Sequence, residues 1–344
     1  MKLSKFNFEL PGELIALTPL KDRSSSKLLV VEEGLKDLNF RDLPSLINSK
    51  DILVINDTKV FKARLLGKRN TGARAEILIE RVIDDDFAYV QIKCNSPLKP
   101  KDQILFLNSN HSLNLIKKDK DLWLVHFSDK AKKVIEAHGS VPLPPYIKRD
   151  SNKVDEERYQ TIYADPEKDL SVAAPTAGFH FNYKLLAALK KKDIAVAKIT
   201  LHVGMGTFKP INKDNIKDHE MHKERIELKE EAINLINKAK SQGGRIICIG
   251  TTTLRCLESI AKMNNGVLKP FKGETDIFIY PGFKFNVVDS LVTNFHLPKS
   301  TLIVLVSAFG GYKKVMEAYE YAIKNEYRFY SYGDSMFINA NLDK

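Results

Sequence analysis

Cysteine is scarce in this chain: Cys94, Cys248 and Cys256 are the only three among 344 residues. No two of them form a C-x-x-C pair and their number is odd. A disulfide framework or a Cys-based zinc site is therefore not expected, and a reducing, cytoplasmic setting is. Long hydrophobic runs are missing as well. The longest, Leu302 to Phe309 with Ser307 inside it, falls far short of the ~20 residues a membrane span requires, so no membrane partner is expected. Met1 to Phe6 leads into no apolar stretch of signal-peptide length. Internal repeats and low-complexity tracts are also lacking.

What remains is a globular composition, 43% hydrophobic and 28% charged, in a chain long enough for two domains. Fifty-four Lys and Arg against 43 Asp and Glu give a net charge of +11. Such an excess suits an anionic partner such as nucleic acid, without by itself establishing one.

The texture changes twice along the chain. A short helix around Ser45 to Asn48 and an apolar strand at Ile52 to Ile55 open a mixed segment. From about Val60 to Ser140 short strands recur, at Glu76–Glu80, Tyr89–Ile92, Gln103–Leu107, Ser112–Ile116 and Leu122–Phe127. That spacing predicts a small antiparallel sheet or barrel. After the proline-rich hinge Val141 to Tyr146, strands and helices alternate. Helices are expected at Leu185–Leu189, 229–240, 254–262 and Val315–Ile323, and strands at 194–201, 245–249 and Leu302–Val306. This pattern predicts an α/β fold: a large mixed α/β domain, residues 1–59 and 141–344, with an inserted small antiparallel β-barrel domain at 60–140.

Several polar stretches fall where an apolar strand ends. Leu201 to Phe208 runs a strand into a loop bearing Gly204 and Gly206, which would let backbone N–H groups approach a ligand. A dinucleotide fingerprint is absent, because the third glycine and the following helix are missing. His219-Glu220-Met221-His222-Lys223-Glu224 offers two imidazoles and a carboxylate. The H-E-x-x-H spacing is lacking, so proton transfer is the stronger reading and no metal is expected. Gly250 to Ser259 is a strand end, a threonine-rich turn and a helix start, suited to an anion or to simple N-capping. Ala174 to Phe181 has the same character. Thr293 to Pro298 precedes the next apolar run, and Arg328 to Asp334 forms a polar-aromatic tail. Between Thr58 and Arg74 lie Lys59, Lys62, Arg64, Lys68, Arg69 and Arg74 with no acidic residue. That stripe suits an RNA backbone as well as a solvated strand face.

These segments together resemble the S-adenosylmethionine:tRNA ribosyltransferase-isomerase family. The matching stretches are Leu10 to Pro19, Asn56 to Val60, Pro142 to Ile147, Tyr159 to Thr161 and Ala173 to Phe181. They continue through Leu201 to Phe208, His219 to Glu224, Gly250 to Ser259, Thr293 to Thr301 and Tyr327 to Asp334. Lys27 and Lys59 stand where arginine is usual, and Phe179 where leucine is usual. The resemblance implies an α/β domain with an inserted β-barrel. It also implies transfer and isomerisation of the ribosyl part of S-adenosylmethionine onto the aminomethyl group of a 7-deazaguanine at the tRNA wobble position. The product is epoxyqueuosine, and adenine and methionine leave.

That chemistry organises the candidates. A sulfonium acidifies the adjacent ribose carbon, so a base can take a proton there, and an acid would assist departure of adenine. His202, His219, His222 and Glu224 are assigned to proton transfer. Thr252, Thr253 and Arg255 are assigned to an anionic group, with Thr176, Gly178, His180, Gly204, Gly206, Thr207, Phe208, Asn294 and His296 as further substrate contacts. Phe208, Tyr330 and Tyr332 are candidates to stack on a splayed base. S-adenosylmethionine is expected as a consumed substrate with no cofactor or metal, and a tRNA anticodon arm as partner of a monomer. A zinc hydrolase would instead hold stoichiometric metal, and a non-catalytic RNA binder would consume no S-adenosylmethionine.

Overall fold

A computed structural model describes residues 1–204, 206 and 211–341. In chain order, β1 (Lys27–Val31) and β2 (Leu35–Asn39) form a hairpin, and β3 (Ile52–Asn56) follows. Then come β4 (Arg64–Arg69), β5 (Arg74–Val82), β6 (Phe87–Cys94), β7 (Gln103–Phe106), β8 (Ser112–Asp119), β9 (Leu122–Phe127), α1 (Ala131–His138), the short β10 (Gly139–Ser140) and α2 (Lys153–Arg158). The remainder alternates: α3 (Tyr183–Lys191), β11 (Ala195–His202), β12 (Glu224–Leu228), α4 (Glu230–Ser241), β13 (Ile246–Ile249), α5 (Thr251–Met263), β14 (Phe271–Thr275), β15 (Ser290–Asn294), α6 (Thr301–Gly310), α7 (Tyr312–Lys324) and β16 (Ser335–Asn339).

Two compact units result, one of residues 1–59, 160–168 and 174 onward, the other of 60–159 and 169–173. The first is built on a nine-stranded sheet ordered β14-β12-β11-β3-β13-β15-β16-β1-β2. Its four central strands, β11, β3, β13 and β15, run parallel. All residues of β3, β13 and β15 are buried, as expected where both faces of a parallel sheet are covered. On one face Leu53, Ile55, Ile247 and Ile249 join Phe40, Phe181, Leu185 and Leu189 in a continuous core. Because the four strands are parallel, Asn56, His202, Ile249 and Asn294 all stand at the same edge, where α/β sheets hold their ligands.

The second unit is a six-stranded antiparallel barrel, closed by pairing of β4 with β7, with β10 added at β4. A Cβ at Gly67 would lie 2.5 Å from Ile104 Cγ2, so glycine allows the closing strands to meet. The unit runs past Ser140 to Tyr159, beyond the expected insertion. Ion pairs of Arg64 in β4 with Asp150, and of Lys62 just before β4 with Glu156, hold that extension to the barrel.

Three local expectations are corrected. Leu302–Val306 belongs to helix α6, not to a strand. An unbroken apolar run does not distinguish the two, and the Ser300 hydroxyl caps the helix by accepting from the Ile303 N–H at 3.3 Å. The helix expected near Ser45 is a 3-10 segment at Phe40–Leu46. Strand β4, which carries Arg64, Lys68 and Arg69 of the basic stripe, is a further element that the spacing does not predict. No helix among the described residues is long and apolar enough to cross a membrane.

Candidate active site

The edge formed by the parallel strands is stitched together by polar side chains. Asn56 Oδ1 accepts from the N–H of Leu201 at 3.0 Å and of Thr58 at 3.1 Å. Its amide donates to the Leu201 carbonyl at 3.0 Å and to Thr252 Oγ1 at 3.3 Å. One residue thus joins the exits of β3 and β11 to the start of α5. Asp57, 2% exposed, accepts from Thr200 Oγ1 at 2.8 Å and pairs with Lys168 Nζ at 2.7 Å. Next to it, Thr58 Oγ1 lies 2.8 Å from His202 Nδ1. Burial, then Arg225, pushes the pKa of His202 down to about 4. The imidazole is therefore neutral near pH 7. Where the Thr58 hydroxyl donates to the Lys168 carbonyl, 3.5 Å away, it accepts from Nδ1–H and Nε2 keeps the lone pair that a general base uses.

The threonine turn is occupied differently from expectation. Gly250 caps α5 at φ 93°, a conformation that favours glycine. The Thr253 hydroxyl is buried and donates to the Ile249 carbonyl at 2.8 Å. Arg255 and Glu224, expected in separate roles, form one buried ion pair between the Arg255 NH1 and Glu224 Oε2. The Gly204 N–H approaches Glu224 Oε1 at 3.4 Å. Arg255 is thereby matched by a carboxylate of the protein, and Glu224 by a guanidinium. The two residues expected in separate roles thus face each other.

His219 and His222 lie in the loop leading into β12, not on a helix. His219 sits edge-on to Phe278, and burial and then His222 lower its pKa. His222 is exposed and packs on Gly206, where a Cβ would come within 2.4 Å of its ring. Thr207 and Phe208 lie outside the described residues. Among the described residues no group of three or more His, Cys, Asp or Glu side chains is placed to hold a metal.

A second cluster stands at the end of β15, beneath the 3-10 turn Thr176–His180. His180 Nδ1 is 2.7 Å from Ser26 Oγ and its Nε2 is 3.4 Å from Asn294 Oδ1, while the ring stacks on Phe40. Burial lowers its pKa to about 4. Both nitrogens have protein partners, which hold the His180 ring in place. Thr176 is half-buried at the head of this turn. Gly178 is tightly enclosed: a Cβ would meet Tyr163 Oη at 2.3 Å. His296 is a core histidine, its Nε2 2.8 Å from Thr293 Oγ1 and its main-chain N–H donating to Tyr319 Oη at 2.8 Å. Tyr330 and Tyr332 are 6% and 4% exposed, so neither presents a free face for stacking.

The basic stripe divides. Arg64 is held by Glu76 and Asp150, Arg69 by Asp102, and Lys62 by Glu156. Lys59 is half-buried at the end of the other unit. Lys68 and Arg74 are exposed, and they face each other directly across the β4–β5 ladder.

Asn56, Asp57, Thr58, Lys168 and Ser26 were not among the sequence candidates. A polar triplet straight after a wholly apolar strand was the available signal for the first three. Lys168 and Ser26 offered none.

The family model described as "Queuosine biosynthesis protein" matches residues 3–338. The S-adenosylmethionine:tRNA ribosyltransferase-isomerase of Acinetobacter baylyi is 46% identical over 341 residues, covering 98% of this chain and 99% of that protein. The protein of the same name from Coxiella burnetii (strain Dugway 5J108-111) is 46% identical over 343 residues, with 98% of each covered. A crystal structure of S-adenosylmethionine tRNA ribosyltransferase from Thermotoga maritima matches with a TM-score of 0.56 and 31% identity, over 97% of this chain and 100% of that one. Full-length similarity and a shared barrel-plus-sheet architecture place the chain in the queuosine biosynthesis family, as an enzyme of the S-adenosylmethionine:tRNA ribosyltransferase-isomerase group.

Proposed function

We propose that this enzyme transfers the ribosyl group of S-adenosylmethionine onto the aminomethyl group of 7-aminomethyl-7-deazaguanine at the wobble position of a tRNA. Isomerisation gives epoxyqueuosine, and adenine and methionine are released. The observation that carries the chemical part is His202. It is a neutral imidazole at the sheet edge, with Nδ1 engaged by Thr58. Its Nε2 takes the proton that the sulfonium acidifies on the neighbouring ribose carbon. His219 and His222 are the further proton carriers of this scheme, and S-adenosylmethionine enters as a consumed substrate with no metal or cofactor. Released adenine, measured after incubation with S-adenosylmethionine and tRNA bearing the aminomethyl base, tests the reading; no adenine would overturn it.

His202→Gln is expected to lower the single-turnover rate by about a hundredfold or more, with an unchanged melting temperature. In wild type, acid inactivation through this group appears only as pH falls towards about 4, where Nε2 becomes protonated. A wild-type rate in the Gln variant removes His202 from proton transfer.

For the tRNA we assign Lys68 and Arg74. Like charges directly opposite in an antiparallel ladder repel, and a phosphate between them relieves the repulsion. The double variant Lys68→Ala/Arg74→Ala is expected to flatten the slope of log affinity against log salt by roughly 1.4–1.8, at about 0.7–0.9 per lost contact. An unchanged slope in a filter-binding titration excludes this hairpin.

A further inference from the structure

Arg328 lies in the tight loop that precedes β16. The Asp334 N–H donates to the Arg328 carbonyl at 2.7 Å and the Gly333 N–H to the Tyr330 carbonyl at 3.0 Å. Tyr330 adopts φ 75°, a conformation non-glycine residues rarely take and one that recurs at functional sites. Asn294, at the exit of β15, holds this turn by donating from Nδ2 to the Tyr330 carbonyl at 2.9 Å. Among the described residues the Arg328 side chain is anchored through NH2, which donates to the Thr18 carbonyl. Its NH1 is buried with no hydrogen-bond partner among the described residues.

The nearest acid does not neutralise it by contact. Asp334 accepts main-chain N–H groups instead, from Lys27 and from Arg328 itself, each at 2.8 Å. Burial lowers the Arg328 pKa and the attraction of Asp334 only opposes this. Arg328 and Arg23 both bear electrostatically on the buried, neutral His180. A guanidinium in such a place favours an anion. Unlike Arg255, it has no carboxylate in direct contact among the described residues.

We propose that Arg328 NH1 binds the carboxylate of the amino-acid part of S-adenosylmethionine. This rests on the function proposed above. The enclosure of NH1 favours a small ligand's carboxylate over a backbone phosphate. Asn294 stands three strand spacings, or roughly 14 Å, along the sheet edge from His202. The Arg328 turn is tied to that edge through Asn294, whose amide holds the Tyr330 carbonyl.

Calorimetric titration of wild type, Arg328→Gln and Arg328→Lys with S-adenosylmethionine, with its decarboxylated analogue and with tRNA tests this. Wild type is expected to prefer S-adenosylmethionine over the analogue by roughly 10- to 150-fold. Arg328→Gln binds both alike, Arg328→Lys is intermediate, and tRNA affinity and its salt slope are unchanged. Wild type that binds both ligands equally, or a Gln variant that keeps the preference, overturns the assignment while leaving the proposed function intact. So does a Gln variant that loses tRNA affinity and about 0.7–0.9 of salt slope, which places a phosphate at Arg328. Wild type that binds no S-adenosylmethionine overturns both. The comparison of two ligands on wild type does not depend on a variant folding.

Discussion

Glu224→Ala is expected to cost about 3–5 kcal/mol of folding stability, the range for stranding one member of a buried ion pair. Arg255 is 4% exposed and Glu224 6%. The Arg255 Nε and NH2 already lack hydrogen-bond partners among the described residues, so removal of Glu224 leaves the buried guanidinium without its carboxylate. The cost belongs to the unmatched charge more than to the pair. Replacing both residues with apolar side chains of similar size, as in Glu224→Met/Arg255→Met, is therefore expected to recover most of the loss. Urea unfolding of the single and double variants checks this. A single variant within about 1 kcal/mol of wild type would show that water reaches Arg255 and that the pair is not sealed.

Acidification is expected to destabilise the protein well above the range in which carboxylates titrate. Burial holds His180 at about 4 and His296 at about 3, against an ordinary 6.5. Both pKa values are depressed, so the unfolded chain binds more protons than the folded one below about 6.5. The stabilisation is complete above that pH and is lost progressively as pH falls towards 4. Each histidine contributes about 1.4 kcal/mol per pH unit in this window, the two together about 2.7. Across two units that is about 5 kcal/mol, a large part of the stability of an ordinary domain. His202, also held at about 4, adds a like share, so urea midpoints between pH 7 and 4.5 should fall at least this steeply, and His296→Asn should reduce the slope by about a third. A flat profile over that interval would mean that the imidazoles are already protonated in the folded state.

Much of the architecture was legible because it depends on neighbours in the chain. Alternation at Glu76–Glu80 and Leu122–Phe127 marks barrel strands, since side chains on successive residues point to opposite faces. Leu185 and Leu189 mark a helix face for the equivalent reason. The error at Leu302–Val306 comes from the same source. A segment buried on all sides loses its periodicity, and only the cap at Ser300 identifies it as helical.

The site was legible as a set of segments and not as a set of partners. Gly250–Thr253, His202 and Asn294 were recognised as polar groups following apolar strands, and three of the four parallel strand exits carry them. Glu224 and Arg255 were recognised too, but as a proton carrier and an anion holder. Their pairing was not legible, because it joins residues 31 apart in the chain.

By itself the sequence determined the family, the strand and helix rhythm, the net charge and the set of residues able to do chemistry. These follow from local spacing and from long motifs that are read along the chain. Only the tertiary structure decided which of those residues act alone. Glu224 meets Arg255 across 31 residues, Asp57 meets Lys168 across 111, and Ser26 meets His180 across 154. Hydrogen bonds and ion pairs act through space over a few ångströms, so sheet order and register choose the partners. The same placement leaves His202 neutral at the sheet edge and Arg328 half-buried with a donor unmatched among the described residues.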